Sequence, residues 1–129
     1  MSAGIVLDAS AVLAWLRTEP GADQVDTALD GGVLSTVNAS EIVQKLRQHG
    51  TDGSWALAEL RDLGVVLTPF TDTDAIIAAE LWTPTRTAGL SLGDRACLAL
   101  AHRLGKPALT GDQAWKGLDL PEIEVQMIR

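Results

Sequence analysis

Short apolar runs alternate with longer amphipathic segments along the chain. Residues 4–7 read Gly-Ile-Val-Leu and end at Asp8, a pattern typical of a strand that is buried on both faces. Comparable short runs recur downstream, each bounded by turn-forming or polar residues. We therefore predict five strands, at residues 4–7, 33–36, 65–67, 107–110 and 123–128.

The segments between these runs have helical character. Their apolar residues recur at helical spacing, and several follow a capping residue such as Asn38, Thr71 or Ser91. Thr83-Pro84 is expected to interrupt one helix, and Gly105 occupies the position of a C-terminal helix cap. We predict helices at residues 9–17, 22–29, 39–48, 54–62, 72–82 and 92–104. Strands separated by helices predict an α/β fold with a mainly parallel central sheet of about five strands, covered by helices.

Composition limits the class of protein. A length of 129 residues suits one domain, and 47% hydrophobic residues are enough to build a core. The 17 acidic residues outnumber the 10 basic ones, giving a net charge of −7, which argues against a domain that coats nucleic acid with lysine and arginine. A single cysteine, Cys97, excludes an internal disulfide framework, and with only two distant histidines a zinc site is poorly supported.

The chain carries no sign of export or membrane insertion. No basic region precedes a long apolar run at residues 1–8, and no stretch approaches the roughly 18 apolar residues that a membrane span needs. We therefore expect a soluble protein located in the cytoplasm.

Four acidic residues fall where parallel strands end. Asp8 closes the first predicted strand, Glu41 opens the helix after the second, and Asp112 follows the fourth. Asp94 opens a helix that runs back toward a strand, so its N-terminus also lies at the carboxyl edge of the sheet. Because open parallel sheets bind ligands at this edge, the four carboxylates are expected to meet there.

Each acid also has a purely local interpretation. Glu41 and Asp94 fall three residues after a predicted capping residue, so both fit a capping box. Asp112 can cap a short helix over residues 113–116. Asp8 closes an apolar strand and gains little from capping, which weakens the local interpretation for the group as a whole.

Several carboxylates at close range require a counter-ion. Without one they repel each other and one takes up a proton. Oxygen-only ligands suit the hard cations Mg²⁺ and Mn²⁺. Such a cation can neutralise charge on a phosphodiester and lower the pKa of a bound water, which also explains how an acidic protein could bind a polyanion.

Four short motifs, taken in order, resemble the acidic motifs of PIN-domain ribonucleases, with the greatest similarity to VapC-type toxins of bacterial toxin–antitoxin pairs. The resemblance extends over essentially all of residues 1–129 and implies a single PIN domain with a three-layer sandwich. The motifs are Asp8-Ala-Ser10-Ala, Asn38-Ala-Ser-Glu41, Leu90-Ser-Leu-Gly-Asp94-Arg-Ala-Cys-Leu-Ala and Leu109-Thr110-Gly-Asp112.

This resemblance implies a function. It implies a metal-dependent endoribonuclease that cleaves RNA, often tRNA, with Mg²⁺ or Mn²⁺ held by four acids. It further implies a homodimer and a small antitoxin protein as partner. The residues concerned are the metal-binding and catalytic acids Asp8, Glu41, Asp94 and Asp112, with the hydroxyls of Ser10 and Thr110 beside the metal.

Other features leave alternatives open. Arg86 and Arg95 are candidate phosphate contacts, Cys97 is interpreted as a core residue rather than a nucleophile, and the apolar segments 9–29 and 55–63 carry a surplus typical of an interface. The main alternative is a PIN-like interaction module without turnover. A receiver domain or phosphatase fits less well, since neither a glycine-rich phosphate loop nor a paired-aspartate motif is present.

Overall fold

The centre of the molecule is a five-stranded sheet. The computed structural model describes residues 4–129, and all four strand pairs within it are parallel. The predicted α/β architecture with a mainly parallel sheet is therefore confirmed. The strands are β1 (Val6–Leu7), β2 (Val33–Ser35), β3 (Val66–Thr68), β4 (Ala108–Thr110) and β5 (Val125–Met127).

The order of the strands creates a crevice at one edge of the sheet. The sheet runs β3-β2-β1-β4-β5, so the chain builds outward from β1 on one side and then crosses to the other. Val6 pairs with Val33 of β2 and with Ala108 of β4. The switch in direction lies between β1 and β4, and ligands of open parallel sheets bind beyond the carboxyl ends of strands at such a point.

Helices cover both faces of this sheet and make three layers. Val6 and Leu7 point to opposite faces, as successive strand residues do, and they belong to two separate apolar clusters. One cluster includes residues of the first four helices, and the other is built on the last long helix. The helices are α1 (Ala9–Leu16), α2 (Ala22–Ala28), α3 (Thr36–Gln48), α4 (Ser54–Asp62), α5 (Asp72–Glu80), α6 (Trp82–Thr85) and α7 (Leu92–Leu104).

The predicted start of α3 was wrong. Helix α3 begins at Thr36, and its cap is Ser35, whose hydroxyl accepts a hydrogen bond from the Val37 N–H at 3.2 Å. Asn38 therefore lies inside the helix, where its side chain is fully buried. The physical reason is that Ser35 ends β2 in an extended conformation, so strand and helix are joined without a loop.

The helix that begins at Asp72 ends at Glu80, close to the predicted end near Trp82, but Thr83-Pro84 is not what interrupts it. After Leu81 the chain forms α6 and then a 3₁₀ turn at Arg86–Ala88, so it remains helical through the proline. Pro84 falls in the first turn of α6, where a backbone N–H has no intrahelical partner to lose.

The two segments predicted to carry surplus apolar residues, 9–29 and 55–63, differ in how far their apolar side chains are buried. In residues 9–29 most apolar side chains lie in the core, whereas Trp55 and Leu63 of the second segment are 50% and 40% exposed. Among the described residues, no helix combines the length and apolar character needed to cross a membrane. The expectation about a leader includes residues 1–3, which lie outside the described part of the chain.

Candidate metal centre

Asp8 lies at the switch point, between β1 and α1. Contrary to the prediction, it does cap α1, because its carboxylate accepts a bond from the Ser10 N–H at 3.4 Å. The Ser10 hydroxyl donates to the same oxygen, Oδ2, at 2.5 Å, and the Thr110 hydroxyl donates to it at 3.0 Å. Among residues 4–129 no group donates to the other oxygen, Oδ1. One oxygen of a carboxylate that is only 2% exposed is thus left for a further ligand.

The hydroxyls of Ser10 and Thr110 join the first turn of α1 to the end of β4 across the switch point. Their oxygen atoms are 3.1 Å apart. Ser10 Oγ accepts from the Gly111 N–H at 3.0 Å, and Thr110 Oγ1 accepts from the Asp112 N–H at 3.1 Å. Both hydroxyls therefore fix the position of Asp8 and of the loop that carries Asp112.

Asp112 and Asp94 are each held by a helix terminus. As predicted, Asp112 caps a short helix, a 3₁₀ turn at Gln113–Trp115, by accepting from the Ala114 N–H at 2.9 Å. The predicted capping box at Ser91 and Asp94 is also present, with backbone-to-side-chain bonds of 2.9 and 3.2 Å. Capping orients these carboxylates but leaves oxygen lone pairs free for a cation.

Glu41 reaches the site from α3, and Asn38 holds it there. The Asn38 amide donates to Glu41 Oε1 at 2.8 Å and to the Gly93 carbonyl oxygen of α7 at 3.0 Å. Glu41 is therefore fixed against the first turn of α7, next to Asp94.

Burial and mutual repulsion make the carboxylates of Asp8, Glu41 and Asp94 hard to ionise. Removal from water raises the pKa of Asp8 to about 7, and the negative charges of Asp94 and Glu41 add to the rise, against the hydrogen bonds from Ser10 and Thr110. This is the response of an acid that is buried without a counter-charge. Among residues 4–129, no lysine or arginine lies within salt-bridge distance of Asp8.

The pKa values of Glu41 and Asp94 shift in the same direction. Burial raises the pKa of Glu41, and the charge of Asp94 raises it further, while Asn38 and Lys45 partly offset the change. Burial also raises the pKa of Asp94, with Asp112 adding to the rise. These effects couple Asp8, Glu41 and Asp94 to one another, and Asp112 to Asp94.

The donor set fits a hard divalent cation. Every candidate ligand is an oxygen atom, which is the preference of Mg²⁺ and Mn²⁺. Within residues 4–129, no group of three or more His, Cys, Asp or Glu side chains lies close enough together to hold a metal ion. Mg²⁺ usually binds through one or two carboxylates and keeps several waters, so the arrangement accommodates this ion without a closed cage.

The remaining candidates lie outside the acidic cluster. The Arg95 guanidinium donates to the Ala78 carbonyl of α5 at 2.8 Å, and the Arg86 guanidinium stacks 5.1 Å from the centre of the Trp82 ring. Cys97 is fully buried, as predicted, and burial together with the nearby acids raises the pKa of its thiol well above the usual range. A thiol in this state is not a nucleophile.

Sequence reasoning missed the roles of two residues, Asn38 and Gly93. Asn38 was interpreted as a cap, although its position three residues before Glu41 already placed both side chains on one helix face. Gly93 was not singled out at all, because nothing in the linear sequence shows which side chain from another helix lies against it.

These features define a class: an α/β protein with a cluster of acids at the topological switch point of its sheet. The chain belongs to the PIN domain family, whose profile matches residues 5–120. PIN domains are generally nucleases, and they typically use divalent metals. No curated protein gives a significant match.

Solved structures share the fold. A toxin–antitoxin complex from Klebsiella pneumoniae matches with a TM-score of 0.73 and 15% identity, over 97% of this chain and 98% of that one. VapBC from Salmonella typhimurium, solved bound to DNA, has a TM-score of 0.71 and 12% identity over the whole of both chains. FitAcB from Neisseria gonorrhoeae has a TM-score of 0.66 and 18% identity, over 94% and 95%. At these identities the likeness establishes the fold.

Proposed function

We propose that this protein is a metal-dependent endoribonuclease, the toxin component of a VapBC-type toxin–antitoxin pair. In this proposal Mg²⁺ or Mn²⁺ is held by Asp8, Glu41, Asp94 and Asp112, and the substrate is RNA, with tRNA as one candidate. The cytoplasm is the compartment we propose, since RNA substrate and antitoxin are both made there.

One observation carries the proposal. The charges of four acids from four separate parts of the chain act on one another through Asp94 at the switch point. The most buried of them, Asp8, has one carboxylate oxygen without a donor among residues 4–129. Folding such a cluster costs free energy unless a cation neutralises it. A requirement for a cation is what a phosphodiester hydrolase of this kind would have.

The chain's own groups have distinct tasks in this mechanism. Asp8, Glu41, Asp94 and Asp112 would hold the cation, and a local hydrogen bond orients each of these carboxylates. Ser10 and Thr110 keep Asp8 oriented through Oδ2. When bound, the cation neutralises charge that develops on the scissile phosphate and lowers the pKa of an attacking water.

Cleavage of an RNA panel tests this proposal. We expect cleavage with Mg²⁺ or Mn²⁺, none with EDTA, and a loss of roughly 100-fold or more in Asp8→Asn and Asp94→Asn, because a cation clamp supplies several kcal/mol to the transition state. Asp62→Asn is the matched control, since exposed Asp62 precedes β3 at the opposite edge of the sheet. Cleavage that survives both chelation and the two substitutions would exclude the mechanism.

We infer an antitoxin as the protein partner. The structurally similar proteins are toxin–antitoxin complexes. The cluster formed by Asp8, Glu41, Asp94 and Asp112 also suits a basic tail, in particular an arginine that enters the acidic site. Co-expression with the product of a neighbouring small gene should yield a stable complex in which RNA cleavage is blocked. A monomer that purifies without partner in that co-expression would count against the inference.

We also infer a homodimer. Large apolar side chains are exposed on α4 to α6, including Trp55, Ile76 and Trp82 at 50%, 64% and 50%. Exposed apolar surface of this kind is typical of an interface. Sedimentation equilibrium at micromolar concentrations should give twice the chain mass, and a monomer throughout would refute the dimer.

An interaction module without turnover is the alternative. It is favoured by one observation: each of the four acids already has a local hydrogen bond, from a helix terminus or from Asn38, that accounts for its position. A Mg²⁺ titration, monitored by tryptophan fluorescence, distinguishes the metal-dependent enzyme from the interaction module. Saturable binding that Asp8→Asn abolishes favours the enzyme, and no binding favours the module.

A further inference from the structure

We propose that Asn38 and Gly93 form a clamp that positions Glu41 for the metal, so that Glu41 and Asp94 face the same cation. This inference rests on the proposed function and adds two positioning residues that lie outside the acidic quartet. The clamp is defined as the Asn38 carboxamide on α3 and the side-chain-free surface of Gly93 on α7.

The first half of the clamp is a bridge between two helices. Asn38 is fully buried, and one amide nitrogen donates both to Glu41 Oε1 at 2.8 Å and to Gly93 O at 3.0 Å. Glu41 therefore cannot move away from α7 without breaking its hydrogen bond to the buried Asn38 amide. The other polar atom of this carboxamide, Oδ1, is buried and has no partner among residues 4–129.

That unpartnered oxygen argues against a purely structural role for Asn38. A buried acceptor without a donor destabilises the fold, and an apolar residue of the same size would avoid this cost. Polar groups retained at such a cost are found where they position a functional group.

The second half of the clamp is the absence of a side chain at Gly93, which leaves room for the Glu41 carboxylate. A Cβ atom at this position would overlap the Glu41 carboxylate, and all three of its nearest neighbours would be atoms of that carboxylate. No backbone atom is among them, so the carboxylate lies directly on the glycine. Any larger residue would have to displace Glu41, while the fold itself could adapt because only the end of a flexible side chain must move.

Mn²⁺ affinity, measured by electron paramagnetic resonance of the free ion, tests the clamp. Asn38→Leu and Gly93→Ala should each weaken the affinity by roughly 10-fold or more, as loss of a group that orients a metal ligand does. In a Glu41→Ala background the same two substitutions should change the affinity by about twofold or less, since they act only through Glu41.

Stability is measured in parallel, in EDTA, to separate affinity from folding. Alanine is a better helix former than glycine, so Gly93→Ala should melt close to the wild type. The matched control is Gly53→Ala, whose Cβ would approach the α3 backbone at Val43 to 3.0 Å. This Cβ would contact α3, the helix that carries Glu41, but its nearest neighbours do not include Glu41 itself. Gly53→Ala should therefore lower the melting temperature without weakening Mn²⁺ binding.

The outcomes distinguish this inference from the proposed function. If the wild type binds Mn²⁺ and Gly93→Ala binds it equally well, the clamp is refuted while the metal site stands. If Gly93→Ala weakens binding equally with and without Glu41, the clamp is also refuted, because the effect then bypasses Glu41. Absence of Mn²⁺ binding in the wild type would overturn the proposed function and the clamp with it.

Discussion

At the scale of single residues, Asp8 shows how one side chain can link stability to the candidate metal site. It lies at the end of the central strand, 2% exposed, and its pKa is raised to about 7 because the carboxylate is removed from water and faces other acids. Asp8 ionises less readily in the folded protein than in the unfolded chain. Ionisation of the unfolded chain therefore favours unfolding. The folding free energy must therefore change with pH in the metal-free protein.

The sign of this change follows from the two pKa values. Below pH 3.8 Asp8 is protonated in both states, whereas between 3.8 and about 7 only the unfolded chain ionises freely. We expect the free energy of unfolding in EDTA to fall as the pH rises through this window and then to level off, with a contribution of at most about 4 kcal/mol from Asp8. Urea unfolding at pH 4 to 8 measures it.

Asp8→Asn removes this contribution and keeps the shape of the side chain. The variant should lose less stability than the wild type over the same pH range, with a residual slope from Glu41 and Asp94, whose pKa values are raised in the same direction. Asp62→Asn should follow the wild type. Parallel curves for Asp8→Asn and the wild type would contradict the assignment.

The acids could be predicted from sequence, but their contacts could not. The pattern placed Asp8, Asp94 and Asp112 at strand and helix ends, because apolar runs and capping residues are local signals. The bridge from Asn38 to Gly93 joins residues 55 positions apart, and no local signal specifies it. Asn38 resembled a cap only because Ser35, the actual cap, also ends a strand.

At the scale of elements, α7 carries the site at one end and anchors α5 along its length. Its N-terminal turn presents Gly93 and Asp94 to the crevice, and its middle is buried between α5 and the sheet. Near its C-terminus, Arg103 donates to the buried carboxylate of Asp74 on α5 at 2.6 and 3.2 Å. Asp74 also completes the capping box of α5 with Thr71.

Asp74→Ala should weaken the packing of α5 on α7. The change leaves the Arg103 charge unpaired and removes a cap, so we expect a loss of about 2–3 kcal/mol, less than for a fully buried pair because the Arg103 side chain is 26% exposed. The matched control is Asp72→Ala, an exposed acid in the same first turn, which should cost about 0.5 kcal/mol. Equal losses in a urea titration would show that the ion pair contributes nothing.

Element types followed from periodicity, while two boundaries depended on tertiary context. The proline in α6 was expected to end a helix, yet it occupies a first turn where its missing N–H has no consequence. The last strand is shorter than the apolar run at residues 123–128, since only Val125–Met127 pair with β4. Hydrophobicity indicates burial, and pairing partners decide where a strand ends.

At the scale of the whole molecule, the charge of the chain and the charge of its proposed substrate have the same sign. A net charge of −7 repels a polyanion, and the acidic crevice repels it most strongly at the point where cleavage would occur. A bound divalent cation reverses the local sign there and relieves the repulsion among the four acids. One ion would thus stabilise the fold and create the substrate site together.

This coupling predicts a stability gain from metal that requires the acids. At a Mg²⁺ or Mn²⁺ concentration 100 times the dissociation constant, the wild type should gain about 2.7 kcal/mol, or about 10 °C in melting temperature. Asp94→Asn should gain far less, and Asp62→Asn should gain as much as the wild type. The gain should also grow between pH 5 and 8, because the cation competes with protons for the carboxylates. An equal gain in all three proteins would mean that the ion binds elsewhere, and the acidic crevice would then remain a source of repulsion that no metal relieves.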